Sequence, residues 1–357
     1  MIGRLKRVVN WFTRRRADHS NLGARRGART HVIVLDGTMS SLEPGRETNA
    51  GITYKLLREM NGQLSVFYEA GIQWQDWKTT THVMMGRGIN RQIRRAYGFL
   101  ASRYRPGDRI FLFGYSRGAY AVRSLAGVID RVGLLTAEQA TERNILQVYR
   151  HYQQGADSPA AHRFAELYCH PETRIEMIGA WDTVAALGLR LPLLWPLAER
   201  RHGFHNCALG PSIKAGFHAL ARDETREVFE PIMWTRDPAW EGRLEQVWFR
   251  GTHGDVGGQL GGEEAARPLA NIPLVWMLER AEQCGLSLPE GWHARFPQDA
   301  EAPSVGTWQG WGKIFVLRRR RVMGRDPSER EHETAQILPR PTTAATLAPH
   351  ARVLTAS

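Results

Sequence analysis

Between Arg109 and Ala119 the chain reads Arg-Ile-Phe-Leu-Phe-Gly-Tyr-Ser-Arg-Gly-Ala, and no other stretch restricts its fold as much. Ile110 to Phe113 is a short apolar run of the kind that fills a buried strand, and helix-like sequence resumes at Ala119. Between them, Gly114-Tyr-Ser-Arg-Gly118 sets Ser116 on a tight strand-to-helix turn, the Gly-x-Ser-x-Gly elbow. A serine held on so sharp a turn needs neighbours without side chains, so that the backbone can bend and the helix can lie close. Its hydroxyl then stands at a helix N-terminus, where partial positive charge and the N–H of Arg117 favour a developing oxyanion. Five residues are a weak signature alone. Their weight depends on whether partners for a nucleophile stand in matching places elsewhere.

Thr30 to Leu35 is β-branched and apolar and ends at Asp36-Gly37-Thr38, a first strand and a tight loop. Leu64 to Tyr68 is a second strand, the elbow run a third, and Arg174 to Ala180 a fourth that ends at Trp181-Asp182-Thr183. A fifth, Leu244 to Phe249, leads into Arg250-Gly-Thr-His-Gly-Asp-Val-Gly-Gly258. Helical spacing marks 48–60, 89–100, the stretch after the elbow, 137–153, 159–168 and 271–285. Phe217 to Glu224 is read as a scaffold helix and 71–88 as an irregular surface loop. Strands alternating with helices predict an α/β fold of the hydrolase type: a mostly parallel, doubly wound sheet with helices on both faces. In such sheets ligands bind beyond the carboxyl ends of the strands. Asp36, Ser116, Asp182 and His253 each follow a strand end, so the fold would gather them at one edge.

Acyl transfer through a serine requires a hydroxyl, an imidazole to take its proton, and a carboxylate to fix the imidazole's tautomer. The order Ser116, Asp182, His253 is the order of α/β-hydrolases. Asp255, two residues after His253, is a rival for the carboxylate, and His218 is the reserve histidine. The first oxyanion donor is the N–H of Arg117, and the second comes from Gly37 or Thr38. Asp36 reads as an organiser of its loop. A different chemistry would make His253, Asp255 and Asp36 metal ligands, which leaves the elbow serine idle. The serine reading calls for no metal and no cofactor.

Charge divides the chain into three. Residues 1–30 hold nine Lys or Arg against Asp18 alone, and a second cluster joins Lys313 to Arg318–Arg321, while the formal net charge of the whole is +12. The expected organisation is a basic arm over 1–29, a catalytic domain over 30–312 and a mobile basic tail over 313–357. Val8, Val9, Trp11 and Phe12 are too few for a signal peptide core, and Arg14–Arg16 interrupt at once. The expected location is therefore cytoplasmic, membrane-associated, or exported without a signal peptide. The basic ends suit an anionic membrane surface, and no specific nucleic acid is expected. Three scattered cysteines, Cys169, Cys207 and Cys284, form neither a disulfide framework nor a metal knuckle. Leu187 to Leu197 is apolar but short and proline-broken, either a lid or acyl groove or a buried crossover.

Five segments in order, Leu35-Asp-Gly-Thr38, Phe113-Gly-Tyr-Ser-Arg-Gly-Ala119, Gly179-Ala-Trp-Asp-Thr-Val184, Phe217-His-Ala-Leu-Ala-Arg-Asp-Glu224 and His253-Gly-Asp-Val-Gly-Gly258, resemble the catalytic domain of class-one type VI secretion phospholipase effectors, also called the domain of unknown function 2235. The resemblance spans about 30–285. It implies an α/β-hydrolase fold and hydrolysis of phospholipid acyl esters, with Ser116 as nucleophile and His253 as its histidine. The chain departs from the family pattern at Gln259, where a third glycine is expected, and at Met39, which replaces an aromatic; both bear on substrate preference. The expected function is a serine ester hydrolase of lipase or phospholipase type acting on a lipid-like ester. Its alternative is a hydrolase-fold module that binds a membrane or polyanion and has a vestigial site.

Overall fold

The computed structural model describes residues 27–60, 62–71, 87–184, 208–308 and 316–338. Seven strands, β1 (Thr30–Leu35), β2 (Leu64–Glu69), β3 (Arg109–Tyr115), β4 (Ile175–Trp181), β5 (Ala215–Ala221), β6 (Arg243–Phe249) and β7 (Glu329–Glu331), form one sheet in the order β2-β1-β3-β4-β5-β6-β7. All six neighbouring pairs are parallel. The helices are α1 (Asn49–Arg58), α2 (Arg87–Ala101), α3 (Arg117–Arg131), α4 (Glu142–Gln154), α5 (Pro159–Tyr168), α6 (His253–Gly257) and α7 (Arg267–Gln283).

A sheet covered on both faces explains why its strands read as unbroken apolar runs rather than alternating ones. Ile33 and Leu35 of β1, with Ile110 and Leu112 of β3, face one core, which α2 closes with Ile93 and Leu100 and α3 with Val122 and Leu125. The residues between them, Val32, Val34, Phe111 and Phe113, face a second core built with Leu56 and Leu57 of α1 and Leu274 and Leu278 of α7. Helix starts follow local chemistry. The hydroxyls of Thr48, Thr141 and Ser158 accept from the backbone N–H groups of Gly51, Asn144 and Ala161, and Pro159 opens α5. Among the described residues, no helix is long and apolar enough to cross a membrane.

Three expectations are corrected. Phe217 to Glu224 is not a helix: Ala215–Ala221 is β5, buried along its whole length between β4 and β6. A strand enclosed on both faces is filled by small residues where space is short. A side chain at Gly216 would stand 2.6 Å from Leu209, for example, and the Ala and Leu used here carry a helical bias that packing overrides. Nor do residues 316–338 form a free tail. β7 pairs with β6 through Gln246↔Glu329 to Trp248↔Glu331, and Arg319 N donates to Thr225 O. The predicted helix over 137–153 is a 3₁₀ turn at Ala137–Gln139 followed by α4. The arm up to residue 26, most of 71–88, Leu187 to Leu197 and residues from 339 onward lie outside the described residues.

Candidate active site

The strand order reverses at β1, with β2 on one side and β3 on the other, and in parallel sheets ligands bind at such a reversal, here between the loops after β1 and β3. Ser116 leaves β3 with φ +57° and ψ −121°, and α3 begins at the next residue. Both elbow glycines are required by what surrounds them. A Cβ at Gly114 would lie 2.6 Å from the backbone of Gly118 and Ala119, and one at Gly118 would lie 2.0 Å from Leu35 O. The chain thus brings α3 against the end of β1 while turning Ser116 outward. Among the described residues, the non-glycine positions with positive φ are Met39, Ser116 and Asp182, which follow the ends of β1, β3 and β4. Strain of about 1–3 kcal/mol per residue, kept at one place, is characteristic of a functional site.

The structure brings Ser116, His253 and Asp182 into one hydrogen-bonded chain. His253 Nε2 is 2.9 Å from Ser116 Oγ, and its Nδ1 is 2.6 Å from Asp182 Oδ2. His253 opens α6, and its ring lies between two aromatics: Phe229, stacked at 4.6 Å and 12°, and Tyr115 at 4.9 Å. Its backbone N–H donates to Glu224 Oε2, and Glu224, fully buried, is itself held by Arg226. Asp182 ends β4 with no exposed surface. Its Oδ1 accepts from Ala221 N at 3.0 Å and from Arg321 at 2.6 Å, and its Oδ2 accepts from Arg321 at 2.9 Å as well as from His253. Burial pushes this carboxyl upward, but the Arg321 guanidinium and the hydrogen bonds from His253 and Arg321 outweigh it and hold it well below the usual carboxylate range.

The other candidates stand apart from this chain. Asp255 does not touch His253. Its Oδ2 accepts from Thr252 N and Oγ1 and from Ser304 Oγ, and its Oδ1 from Val305 N, a capping box that fixes the start of α6. Asp36 accepts from Gly37 N at 2.7 Å, Thr48 Oγ1 and Tyr68 Oη; burial outweighs these bonds and pushes its carboxyl up to about 6. His218 lies inside β5, where Nε2 accepts from Thr183 N at 3.1 Å; burial and then the Arg123 guanidinium bring its pKa down to about 3, so it is a neutral structural group. Among the described residues, no three His, Cys, Asp or Glu side chains converge as metal ligands would.

Of the two loop candidates for the oxyanion, Gly37 has its N–H engaged by Asp36 Oδ1 at 2.7 Å. The Thr38 N–H is the remaining loop candidate. Thr38 is held at two points: its hydroxyl accepts from the Arg117 guanidinium, and its carbonyl accepts from Gln259 Nε2 at 2.9 Å. Burial lowers the Arg117 pKa to about 10, which leaves it charged at neutral pH. Tyr115, fully buried, connects the loops. A Cβ at Gly37 would lie 2.7 Å from its ring and one at Gly257 1.9 Å, and its hydroxyl donates to His253 O at 3.2 Å, with Gln259 Oε1 also near at 3.4 Å.

Sequence reasoning missed Arg321, Glu224 and Phe229. Glu224 closes one of the segments quoted for the resemblance and so carried a signal. Arg321 stands last in a run of four arginines, and nothing in the run marks it out.

The chain is 27% identical over 232 residues to an uncharacterized protein of Saccharomyces cerevisiae, an alignment covering 58% of this chain and 33% of that protein. An uncharacterized protein from Pseudomonas aeruginosa of known crystal structure aligns over 83% of this chain and 52% of its own, at 16% identity and a TM-score of 0.43. A Tle1 effector solved bound to the VgrG spike of the type VI secretion system aligns over 65% of this chain and 51% of its own, at 20% identity and a TM-score of 0.36. The chain therefore spans a third of the curated relative's length and about half of each solved chain. The family of type VI secretion phospholipase effectors, Tle1-like catalytic domain, matches residues 29–280, well over half of the sequence, and the chain belongs to that family.

Proposed function

We propose that this domain is a serine ester hydrolase that cleaves acyl esters of phospholipids through an acyl-enzyme. Family membership supports a phospholipase-type hydrolase and lipid substrates. The single observation that carries the serine mechanism is the unbroken chain from Asp182 through His253 to Ser116, at 2.6 and 2.9 Å. Ser116 Oγ attacks the ester carbonyl carbon as His253 Nε2 takes its proton, and the carbonyl π pair moves to oxygen. The N–H groups of Arg117 and Thr38 hold that oxyanion. Collapse breaks the bond to the alcohol, which leaves with the proton from His253. Water, deprotonated by the same nitrogen, then attacks the acyl carbonyl carbon; the bond to Ser116 Oγ breaks, His253 returns the proton to that oxygen, and the fatty acid leaves. Asp182 keeps Nδ1 protonated and Nε2 free throughout.

A fluorophosphonate probe tests this directly. It is expected to label the full chain at Ser116, and Ser116→Ala is expected to abolish labelling and hydrolysis of a short acyl ester with the fold intact. Full hydrolysis by the folded Ser116→Ala protein sinks the reading, and a folded wild-type chain that neither labels nor turns over ester favours a binding module with a vestigial site.

A second reading concerns the partner surface. Exposed Val316, Leu317 and Val322 lie beside exposed Arg319 and Arg320, a mixture of apolar and basic groups that suits an anionic lipid interface, as does the positive charge of residues 1–29.

A further inference from the structure

Arg321 lies beyond the residues that the family matches, 29–280, yet its side chain is 4% exposed and meets the fully buried Asp182 with two nitrogens. We propose that Arg321 is a positioning residue of the hydrolytic site, supplied by the 316–338 segment, which holds Asp182 in the state and orientation that His253 requires. The proposal rests on the serine-hydrolase reading above.

A carboxylate has about four acceptor directions. At Asp182 all four are taken: Oδ1 by Ala221 N and Arg321, Oδ2 by His253 Nδ1 and Arg321. Arg321 thus fills half of them in the planar two-point geometry that only a guanidinium gives. The same two nitrogens also donate to Ala221 O, at the end of β5, and to Phe229 O, on the residue whose ring stacks on His253. One side chain therefore fixes both the acid and one face of the imidazole. Its neighbours Arg319 and Arg320 are exposed, so four consecutive arginines divide into different roles.

Removing the guanidinium would leave a fully buried carboxylate with a neutral imidazole and one amide. A buried charge stripped of its partner is costly, and a carboxyl there takes up a proton instead. The groups facing Asp182 offer no substitute. They are His253 on α6, His218 on β5, which burial keeps neutral, and Tyr115 on β3, whose hydroxyl burial holds well above its ordinary pKa. A protonated Asp182 donates to Nδ1 and so moves the ring hydrogen to Nε2, where it blocks proton transfer from Ser116. This is the wrong-tautomer state that costs a serine triad about 10⁴-fold.

The sign of the pH effect follows. In the native chain Asp182 stays ionised through the neutral range. In Arg321→Met its carboxyl titrates at higher pH, so the loss is greatest in acid and shrinks as pH rises.

The experiment compares full-length wild type, Arg321→Met, Arg321→Lys and Arg321→Ala on a soluble short-chain ester from pH 5 to 9, with thermal unfolding and fluorophosphonate labelling in parallel. Arg321→Met is expected to lower kcat at pH 7 by about 10²-fold, below the ~10⁴ ceiling for losing the acid itself, with KM changed less than about twofold. The lysine variant is expected to recover part of kcat, and millimolar guanidinium is expected to raise the turnover of Arg321→Ala. Wild-type kcat in folded Arg321→Met overturns the proposal. So does a loss matching the unfolded fraction, with an unchanged pH profile and no recovery by lysine or guanidinium. A wild-type chain that is folded but never labelled at Ser116 refutes the hydrolase reading instead, which separates the two failures.

Discussion

Gly118→Ala is the smallest change that tests how the elbow is built. The added Cβ would lie 2.0 Å from Leu35 O, 2.5 Å from Leu35 C and 2.6 Å from Asp36 O, all of them backbone atoms at the C-terminal end of β1 that cannot rotate away. Carbon and carbonyl oxygen in contact are normally about 3.3 Å apart, so the start of α3 has to retreat from β1 by roughly 1 Å. Overpacking of this kind costs about 1–3 kcal/mol, which at about 2–4 °C per kcal/mol predicts a fall in Tm of about 2–12 °C. The consequence for chemistry is larger. Ser116 precedes α3 directly, and a shift of that size stretches its 2.9 Å contact with His253 beyond hydrogen-bond range. A misplacement of about 1 Å is worth on the order of 10² in rate. The assay is turnover of a soluble ester beside thermal unfolding, with Gly27→Ala as control because no atom of the described residues lies within 4 Å of a Cβ there. Wild-type kcat and Tm in Gly118→Ala would refute the steric account of the elbow.

Asp182→Asn is expected to cut turnover by up to about 10⁴-fold at constant folded content, while Asp255→Asn acts mainly on stability by weakening the start of α6; a larger kcat loss from Asp255→Asn would reassign the acid. Asp36 titrates in the fold at about 6 against an ordinary 3.8, so the folded protein binds the extra proton between those values. Stability from this group is complete below about pH 4 and falls by on the order of 3 kcal/mol as pH rises through 6. Asp36→Asn should flatten that slope in pH-dependent denaturation, and an unchanged slope counts against it. Removing residues 1–29 should weaken binding to anionic vesicles in a salt-dependent way, at about 1 kcal/mol per Lys or Arg near the surface, without changing hydrolysis of a soluble ester. Equal vesicle binding by the shortened chain refutes that role.

What the sequence announced, it announced through burial. β1, β3, β4 and β6 are covered on both faces and so appear as apolar runs, and the turns that follow them carry Asp36, Ser116, Asp182 and His253. β5 was illegible because a strand between two others can be made of Ala, Gly, Leu and His, whose local preferences do not speak for extended structure. β7 escaped for the opposite reason: Glu329-Arg-Glu331 is short and wholly charged, as an edge strand can be. Arg321 meets Asp182 across 139 positions of sequence, and local pattern holds no record of such a pairing. The commitment of the Gly37 N–H to Asp36 was equally hidden, since it depends on how the Asp36 side chain folds back on its own loop.

Tyr115 gives the site a particular evolutionary stiffness. Its ring fills the space that a side chain at Gly37 or Gly257 would need, lies against His253, and carries a hydroxyl that reaches His253 O and Gln259. Two loops, one after β1 and one after β6, which lie more than 200 residues apart in sequence, are thus cast against one rigid mould. A mutation in either of them is judged by the same ring, so these loops are expected to change together or hardly at all. Adaptation to new substrates then has to proceed through positions that never touch Tyr115, leaving the reacting centre as a fixed part around which specificity is rebuilt.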